Sequence, residues 1–245
     1  KGGKFYHKVT GEELIEFTAK MSKSLKNVVN PEDVISKYGS DSMRLYEMFM
    51  GPLEANKPWN MNGVEGVFRF LQKVWRMIID EETGKLNTAV CDEPLDDASE
   101  RILHKTIKKV GEDIDGFGFN TAISQMMIFV NELGKLEKRN RTALEQFVIL
   151  LSPFAPHIAE ELWQRLGHKD TISYEPWPKY DETKLEDPEI QLVVQINGKV
   201  RDKLVVPADC DDDTITQIAR DSEKIQKHLE GTTIRKIIVI KKKLV

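Results

Sequence analysis

Between Val64 and Ile78 the apolar residues Val64, Val67, Phe68, Leu71, Val74, Trp75 and Ile78 fall at steps of three and four. A 3.6-residue turn places all of them on one side of a helix, and so broad a stripe must be buried against another element. The spacing returns at Ala122, Ile123, Met126, Val130, Leu133 and Leu136. Further helices are predicted near Asp96 to Ile114, Ala143 to Leu151 and Pro156 to Leu166, where Gly167 ends the last. Helices with one apolar face each solve their burial together, so the sequence predicts a mainly α fold built on an antiparallel bundle of four or five helices. Met126, Met127, Trp75 and Trp163 read as fillers of that core. The cations Arg69, Lys73, Arg76, Lys105, Lys108 and Lys109 are expected to face outward.

Beyond a stretch rich in proline and acid, Glu175-Pro176-Trp177-Pro178 through Glu186-Asp187-Pro188, the period changes to two. Leu192, Val194 and Ile196 alternate with Val193 and Gln195, Asn197-Gly198 suits a type I′ turn, and Lys199 to Val206 returns as the partner strand. A helix comes next, capped by Asp213 or a neighbouring acid, with Ile215, Ile218, Ala219, Ser222, Ile225 and Leu229 on one face and Gly231 closing it. Ile234 to Ile240 reads as a last strand, giving a small β-β-α-β domain. Alternation on the return strand puts Val200, Leu204 and Val206 on one face and Lys199, Arg201 and Lys203 in a row on the other. Arg235, Lys236, Lys241, Lys242 and Lys243 cluster at the far strand. Such cations suit a phosphate backbone, and equally the protection of a strand edge against aggregation. The chain thus divides into an adaptor over residues 1–60, a helical bundle over 61–174, a linker over 175–190 and a small α/β domain over 191–245.

Within the adaptor, Lys20-Met21-Ser22-Lys23-Ser24 joins the alternating run Leu14-Ile15-Glu16-Phe17, read as a short strand, to a helix start with Asn30 at the cap and Pro31 at the first position. An ammonium is a mobile point charge that can track a moving phosphate, and the hydroxyls of Ser22 and Ser24 can share the load as donors. A polar loop of this kind suits a leaving pyrophosphate. The plainer reading is a solvated Lys/Ser loop.

The pentapeptide resembles the signature loop of class I aminoacyl-tRNA synthetases, and the residues after it resemble their bacterial leucyl branch. The resemblance runs through Lys26-Asn27-Val28-Val29-Asn30-Pro31, Gly63-Val64-Glu65-Gly66, Pro153-Phe154-Ala155-Pro156-His157 and Gln195-Ile196-Asn197-Gly198-Lys199-Val200-Arg201-Asp202, and it covers essentially the whole chain. It implies that the bundle is of the anticodon-binding type. It also implies catalytic roles for Lys23 and secondarily Lys20, with Lys23, Met21, Ser22 and Ser24 at ATP, which is a substrate accompanied by Mg²⁺. The implied partners are leucine, ATP and tRNA(Leu), the last contacted by Lys199, Arg201, Lys203, Arg235 and Lys236, in a cytoplasmic, monomeric parent enzyme. The Pro-Phe-Ala-Pro-His stretch is shared with valyl and isoleucyl relatives, which stay open as alternatives beside a stand-alone tRNA-binding module and a helical scaffold. Neither a dinucleotide fold nor a His-Ile-Gly-His type motif precedes Lys20, and the first residue is Lys1. The expectation is therefore a C-terminal fragment without most of the catalytic domain or the editing domain, inactive alone and with no cofactor bound.

Composition narrows the classes further. With 245 residues, 40% hydrophobic and 31% charged, the chain can bury a real core. A net charge of −4 disfavours nonspecific nucleic-acid affinity, which rests on Lys and Arg displacing counterions, but leaves room for a local basic track. No apolar run approaches the roughly 18 residues of a membrane span. Cys91 and Cys210 lie far apart and read as reduced, structural thiols, and His157 reads as a helix-surface or packing residue. No metal site is expected.

Overall fold

The computed structural model describes residues 4–15 and 17–240. The chain divides into two units, one ending at Tyr180 and the other starting at Asp181.

The first unit opens on a two-residue antiparallel ribbon, β1 (Phe5–Tyr6) with β2 (Glu13–Leu14). The strand expected over Leu14 to Phe17 is therefore cut to its first residue. Ile15 and Phe17 are 86% and 74% exposed, so their alternation has no buried face to serve, and Glu16 lies outside the described residues. After the lysine loop comes α1 (Pro31–Tyr38), whose cap Asn30 accepts the Glu32 N–H, with Pro31 in the first turn. Gly39, at φ +84°, ends α1 and leads straight into α2 (Ser40–Phe49). Here a left-handed φ is needed and glycine supplies it without a Cβ clash.

The bundle comprises α3 (Met61–Ile78), α4 (Asp97–Asp115), α5 (Phe119–Leu133), α6 (Arg141–Leu151) and α7 (Pro156–Arg165). Two-residue strands β3 (Val90–Cys91) and β4 (Arg139–Asn140) pair in parallel ahead of α4 and α6. Asn60, Asp96 and Asn140 cap α3, α4 and α6 by accepting backbone N–H groups with their side chains. The α3 stripe is buried at Val64, Val67, Leu71, Val74 and Ile78, while Phe68 and Trp75 sit half-buried at its margin. Met126 and Trp163 are in the core as expected, and Met127 packs at its edge. Phe129 of α5 and Phe147 of α6 stack at 4.8 Å between centroids, both fully buried. Burial of such a ring stabilises by about 1.5–3 kcal/mol. Downstream, the Trp177 indole lies against Gly111 of α4, and Lys108 of α4 sits over the Tyr180 ring at 5.4 Å.

The second unit is a hairpin backed by helices. Strands β5 (Glu189–Ile196) and β6 (Lys199–Pro207) pair antiparallel around Asn197-Gly198, both at positive φ (+52° and +77°), as the sequence predicts. Helix α8 (Asp212–Asp221) is capped by Asp211, whose side chain accepts the Thr214 N–H, and not by Asp213. The single helix expected here is two: the chain breaks at Ser222 (ψ 123°) and resumes as α9 (Glu223–Leu229). Leu192, Val206 and Ile215 form one small core, and Val194, Ala219 and Ile225 a second. The closing strand expected over Ile234 to Ile240 carries no ladder in the described residues before a bridge at Ile240, so among those residues the order reads β-β-α-α with an irregular segment after it. Val239 packs at the edge of the Leu192–Val206–Ile215 core, but isoleucines 234, 238 and 240 are exposed, and so little burial does not hold the segment as a strand.

Pairing in the hairpin is interrupted once. Val194 faces Asp202 but Gln195 faces Val200, so Arg201 is the extra residue of a bulge. A one-residue bulge reverses which side successive side chains take. Asp202, Leu204 and Val206 turn inward, whereas Val200, expected on that face, is 54% exposed.

Candidate functional site

The five residues Lys20 to Ser24 enter a turn over residues 23–26. The Lys26 N–H donates to the Lys23 carbonyl at 3.2 Å, with Lys26 at φ +53°. Asn27 organises the segment: its Oδ1 accepts the Ser22 N–H at 2.8 Å and its Nδ2 donates to the Lys20 carbonyl at 3.4 Å. The Ser22 hydroxyl accepts the Leu25 N–H at 3.2 Å and lies 3.2 Å from the Ser24 hydroxyl, so both serines hold the turn. Met21 is exposed. Lys20 and Lys23 are exposed too, and no ion pair among the described residues engages either ammonium. The backbone of the turn is fixed while both charges remain available. Asn27 carries that geometry, and its only trace in the sequence is an amide side chain close to a polar turn.

Beyond the turn lie α1 and α2, and α2 is fastened to the bundle through α7. Helix α7 begins at Pro156 behind Ala155, which offers no capping side chain. Asp41 of α2 takes that role from across the fold. Its Oδ2 accepts the Ile158 N–H at 2.8 Å, and its Oδ1 lies 3.4 Å from the His157 N–H and 2.8 Å from His157 Nδ1. Three residues on, Arg44 donates to the Pro153 carbonyl at 2.9 Å. The Pro153-Phe154-Ala155-Pro156-His157 stretch is thus the seat of α2, with Phe154 and Ala155 buried beneath it. His157 is a surface partner of Asp41, in keeping with its expected packing role.

In the second unit a groove of about 950 Å³ opens between the hairpin tip, α8, α9 and the segment after α9. Its floor is apolar, with Val194, Ile196, Ala219, Ile225 and Leu229. Its walls carry Lys199, Arg201, Arg235 and Lys236, four of the five residues expected to touch nucleic acid. Lys203, the fifth, does not line the groove. The bulge at Arg201 explains the division: it breaks the expected row, turning Lys199 and Arg201 to the groove and leaving Lys203 exposed on the other side. The groove also holds Arg220 and His228, which strand periodicity could not reveal because they lie on α8 and α9. Among the described residues no Asp or Glu lines it. Lys241, Lys242 and Lys243, expected in the same cluster, lie outside the described residues.

Several bundle cations are partnered. Lys109 pairs with Asp113 at 2.6 Å, Lys108 with Glu112 and Arg76 with Glu81 at 3.9 Å, and Lys73 donates to Asn131 at 3.2 Å. Lys105 and Lys108 are half-buried at the bundle surface. No ion pair among the described residues engages Lys199, Arg201, Arg220, Arg235 or Lys236. An acid-free groove lined by unpaired cations above an apolar floor is suited to a polyanion with flat apolar parts. Among the described residues no group of three or more His, Cys, Asp and Glu could hold a metal, and no helix is long and apolar enough to cross a membrane.

Comparison with known proteins gives these sites a context. A family model described as the anticodon-binding domain of tRNA ligase matches residues 96–218, and one for tRNA synthetases class I (I, L, M and V) matches residues 4–57. Leucine–tRNA ligases from two strains of Leptospira biflexa serovar Patoc are 50% identical over 230 residues, covering 94% of this chain and 26% of theirs. A crystal structure of an Agrobacterium radiobacter LeuRS, in ternary complex with tRNA and LeuAMS, matches at a TM-score of 0.70 and 28% identity, over 92% of this chain and 30% of that one. This chain thus spans about a quarter of the length of the curated relatives it matches.

Proposed function

Because the chain belongs to the tRNA ligase family through its anticodon-binding domain, we propose that it forms the lysine-loop and tRNA-binding portion of a leucine–tRNA ligase. Such an enzyme joins leucine to ATP as leucyl-adenylate, releasing pyrophosphate, and passes the leucyl group to the 3′-terminal ribose of tRNA(Leu). It works in the cytoplasm as a monomer. Lys23, and secondarily Lys20, stabilise the negative charge that builds on the phosphates in the transition state, an electrostatic role without proton transfer. Ser22, Ser24 and Asn27 keep the turn in shape, and Met21 seats it against the rest of the ATP site. Mg²⁺ would accompany ATP and supply charge neutralisation; among the described residues no group of three or more His, Cys, Asp and Glu gathers to hold it. Residues 1–60 present the loop, the bundle of residues 61–174 takes the tRNA body by shape, and the domain of residues 191–245, beyond the linker at 175–190, holds phosphates. The portion does not activate leucine by itself.

The observation that carries this reading is the acid-free groove with Lys199, Arg201, Arg235 and Lys236 unpaired in it. Changing all four to Gln should weaken tRNA(Leu) binding by the 245-residue chain and flatten its salt dependence by about 0.7–0.9 log–log units for every phosphate no longer neutralised. Lys203→Gln should leave both unchanged, in line with a strand-edge role. Filter binding across a salt series measures the slopes, and a fourfold variant with the wild-type slope defeats the proposal.

A further inference from the structure

Next to the bulge, Asp202 turns its carboxylate into the unit, where it is 8% exposed. The Ser222 hydroxyl donates to Oδ2 at 2.6 Å, and Lys224 Nζ and the Lys203 N–H donate to Oδ1 at 3.1 and 2.9 Å. These bonds from Ser222 and, secondarily, Lys224 hold its carboxyl below the ordinary carboxylate range. Ser222 is the residue at which α8 stops and α9 starts. Asp202 therefore joins β6, one residue from the bulged Arg201, to the α8–α9 junction, and both elements wall the groove.

We propose that Asp202 is a positioning residue for phosphate binding: through Ser222 it pins the bulge in register and so aims Lys199 and Arg201 into the groove. The proposal rests on the reading of the groove as a tRNA contact. Two features favour it over a purely structural tie. A bulge leaves its extra residue unpaired in the ladder, so something outside the ladder must fix where Arg201 points. The carboxylate also does not line the groove and is matched by Lys224, so the tie adds little repulsion toward a polyanion.

Positioning and electrostatics predict opposite signs. Deleting an acid beside a phosphate site strengthens binding if only charge matters. If Asp202 positions the cations, Asp202→Ala weakens binding although the chain becomes less negative. Ser222→Ala, which leaves formal charge untouched, weakens it likewise, and Ser222→Thr restores it. Removing one cation from its phosphate lowers the salt slope by about 0.7–0.9 and the affinity at 0.1 M salt by about six-fold, taking the electrostatic contribution as vanishing near 1 M. The measurement is tRNA(Leu) binding by the whole chain across a salt series, with circular dichroism of each variant as a folding control. If Asp202→Ala fails to fold, the Ser222 pair carries the test alone. Unchanged slopes in folded Ser222→Ala, or tighter binding by folded Asp202→Ala, overturn the positioning role while leaving the tRNA contact standing. A wild-type chain without salt-dependent tRNA binding overturns both.

Discussion

Replacing Asp41 with Ala tests how the lysine-loop segment is fastened to the bundle. The carboxylate is 8% exposed and receives the backbone N–H groups of His157 and Ile158 at the open start of α7. Loss of an ordinary N-cap costs about 0.5–2 kcal/mol. Here the acceptor is a well-buried carboxylate, and hydrogen bonds to groups of that kind contribute about 1.5–3 kcal/mol. An anion at a helix start adds about 0.3–1 kcal/mol, which overlaps with the cap. The terms together predict a loss of about 2–4 kcal/mol for Asp41→Ala and about half of that for Asp41→Asn, which keeps one acceptor oxygen. Urea unfolding monitored by tryptophan fluorescence, to which Trp163, buried on α7, contributes, reads the effect. With a slope of about 2 kcal/mol per molar urea, a loss of about 3 kcal/mol moves the midpoint down by about 1.5 M. His157→Ala should cost under about 1 kcal/mol, because its ring is 75% exposed and its loss leaves Asp41 with both backbone N–H donors. An Asp41→Ala midpoint within experimental error of wild type would mean that water satisfies the start of α7, and the capping account would fall.

A Cβ on Gly63 would overlap the buried ring of Tyr46, so Gly63→Ala should destabilise by about 1–3 kcal/mol. Gly66→Ala, with nothing within 4 Å, should instead stabilise α3 by about 0.5–1 kcal/mol, and melting curves that rank the two variants the other way would refute the packing. Asp96, bonded first by the Ser99 N–H, and Asp211, bonded by Thr214, both have pKa values held below the ordinary 3.8. Their contribution is full above the unfolded value and is lost as pH falls through the folded one, so stability should hold down to about pH 4 and drop below it. A urea midpoint as high at pH 3 as at pH 5 contradicts this. In a leucine–tRNA ligase carrying this segment, Lys23→Ala should slow adenylate formation by about thirty- to a thousand-fold with leucine affinity little changed. Single-turnover kinetics measure both, and an unaltered rate removes the transition-state role.

The bundle was legible because its information is local. A stripe such as Val64 to Ile78, caps such as Asn30 and Asp96, and the Asn197-Gly198 turn each arise from residues within one or two turns of one another. The features that escaped depend on partners distant in sequence. Asp41 meets residues more than a hundred positions away, and Asp202 meets Ser222 twenty positions on. The bulge is a property of pairing: nothing in the alternation of Lys199 to Val206 distinguishes an uninterrupted strand from one that skips Arg201. The break at Ser222 has the same origin, since its hydroxyl is drawn out of the helix toward Asp202. A binary pattern could thus name the groove cations Lys199 and Arg201, yet it grouped them with Lys203, while Arg220 and His228 on the facing helices carried no signal in any single element.

Unpaired cations gathered in one place are informative against the net charge of −4. Acids outnumber bases, and the bundle places several of them within reach of its lysines and arginines, as at Lys109–Asp113 and Arg165–Glu161. Lys20 and Lys23 in the turn, and Lys199, Arg201, Arg220, Arg235 and Lys236 in the groove, have no such partner among the described residues. Like charges gathered without counter-charges repel, a cost that a folding-only requirement would relieve with a single nearby Asp or Glu. On the proposed reading an external polyanion relieves it instead, and the same acidity elsewhere on the surface would discourage that polyanion from settling anywhere but at these cations. Local cations on an acidic chain thus give placement and selectivity together, which is what a protein must have if it is to hold one folded RNA among many.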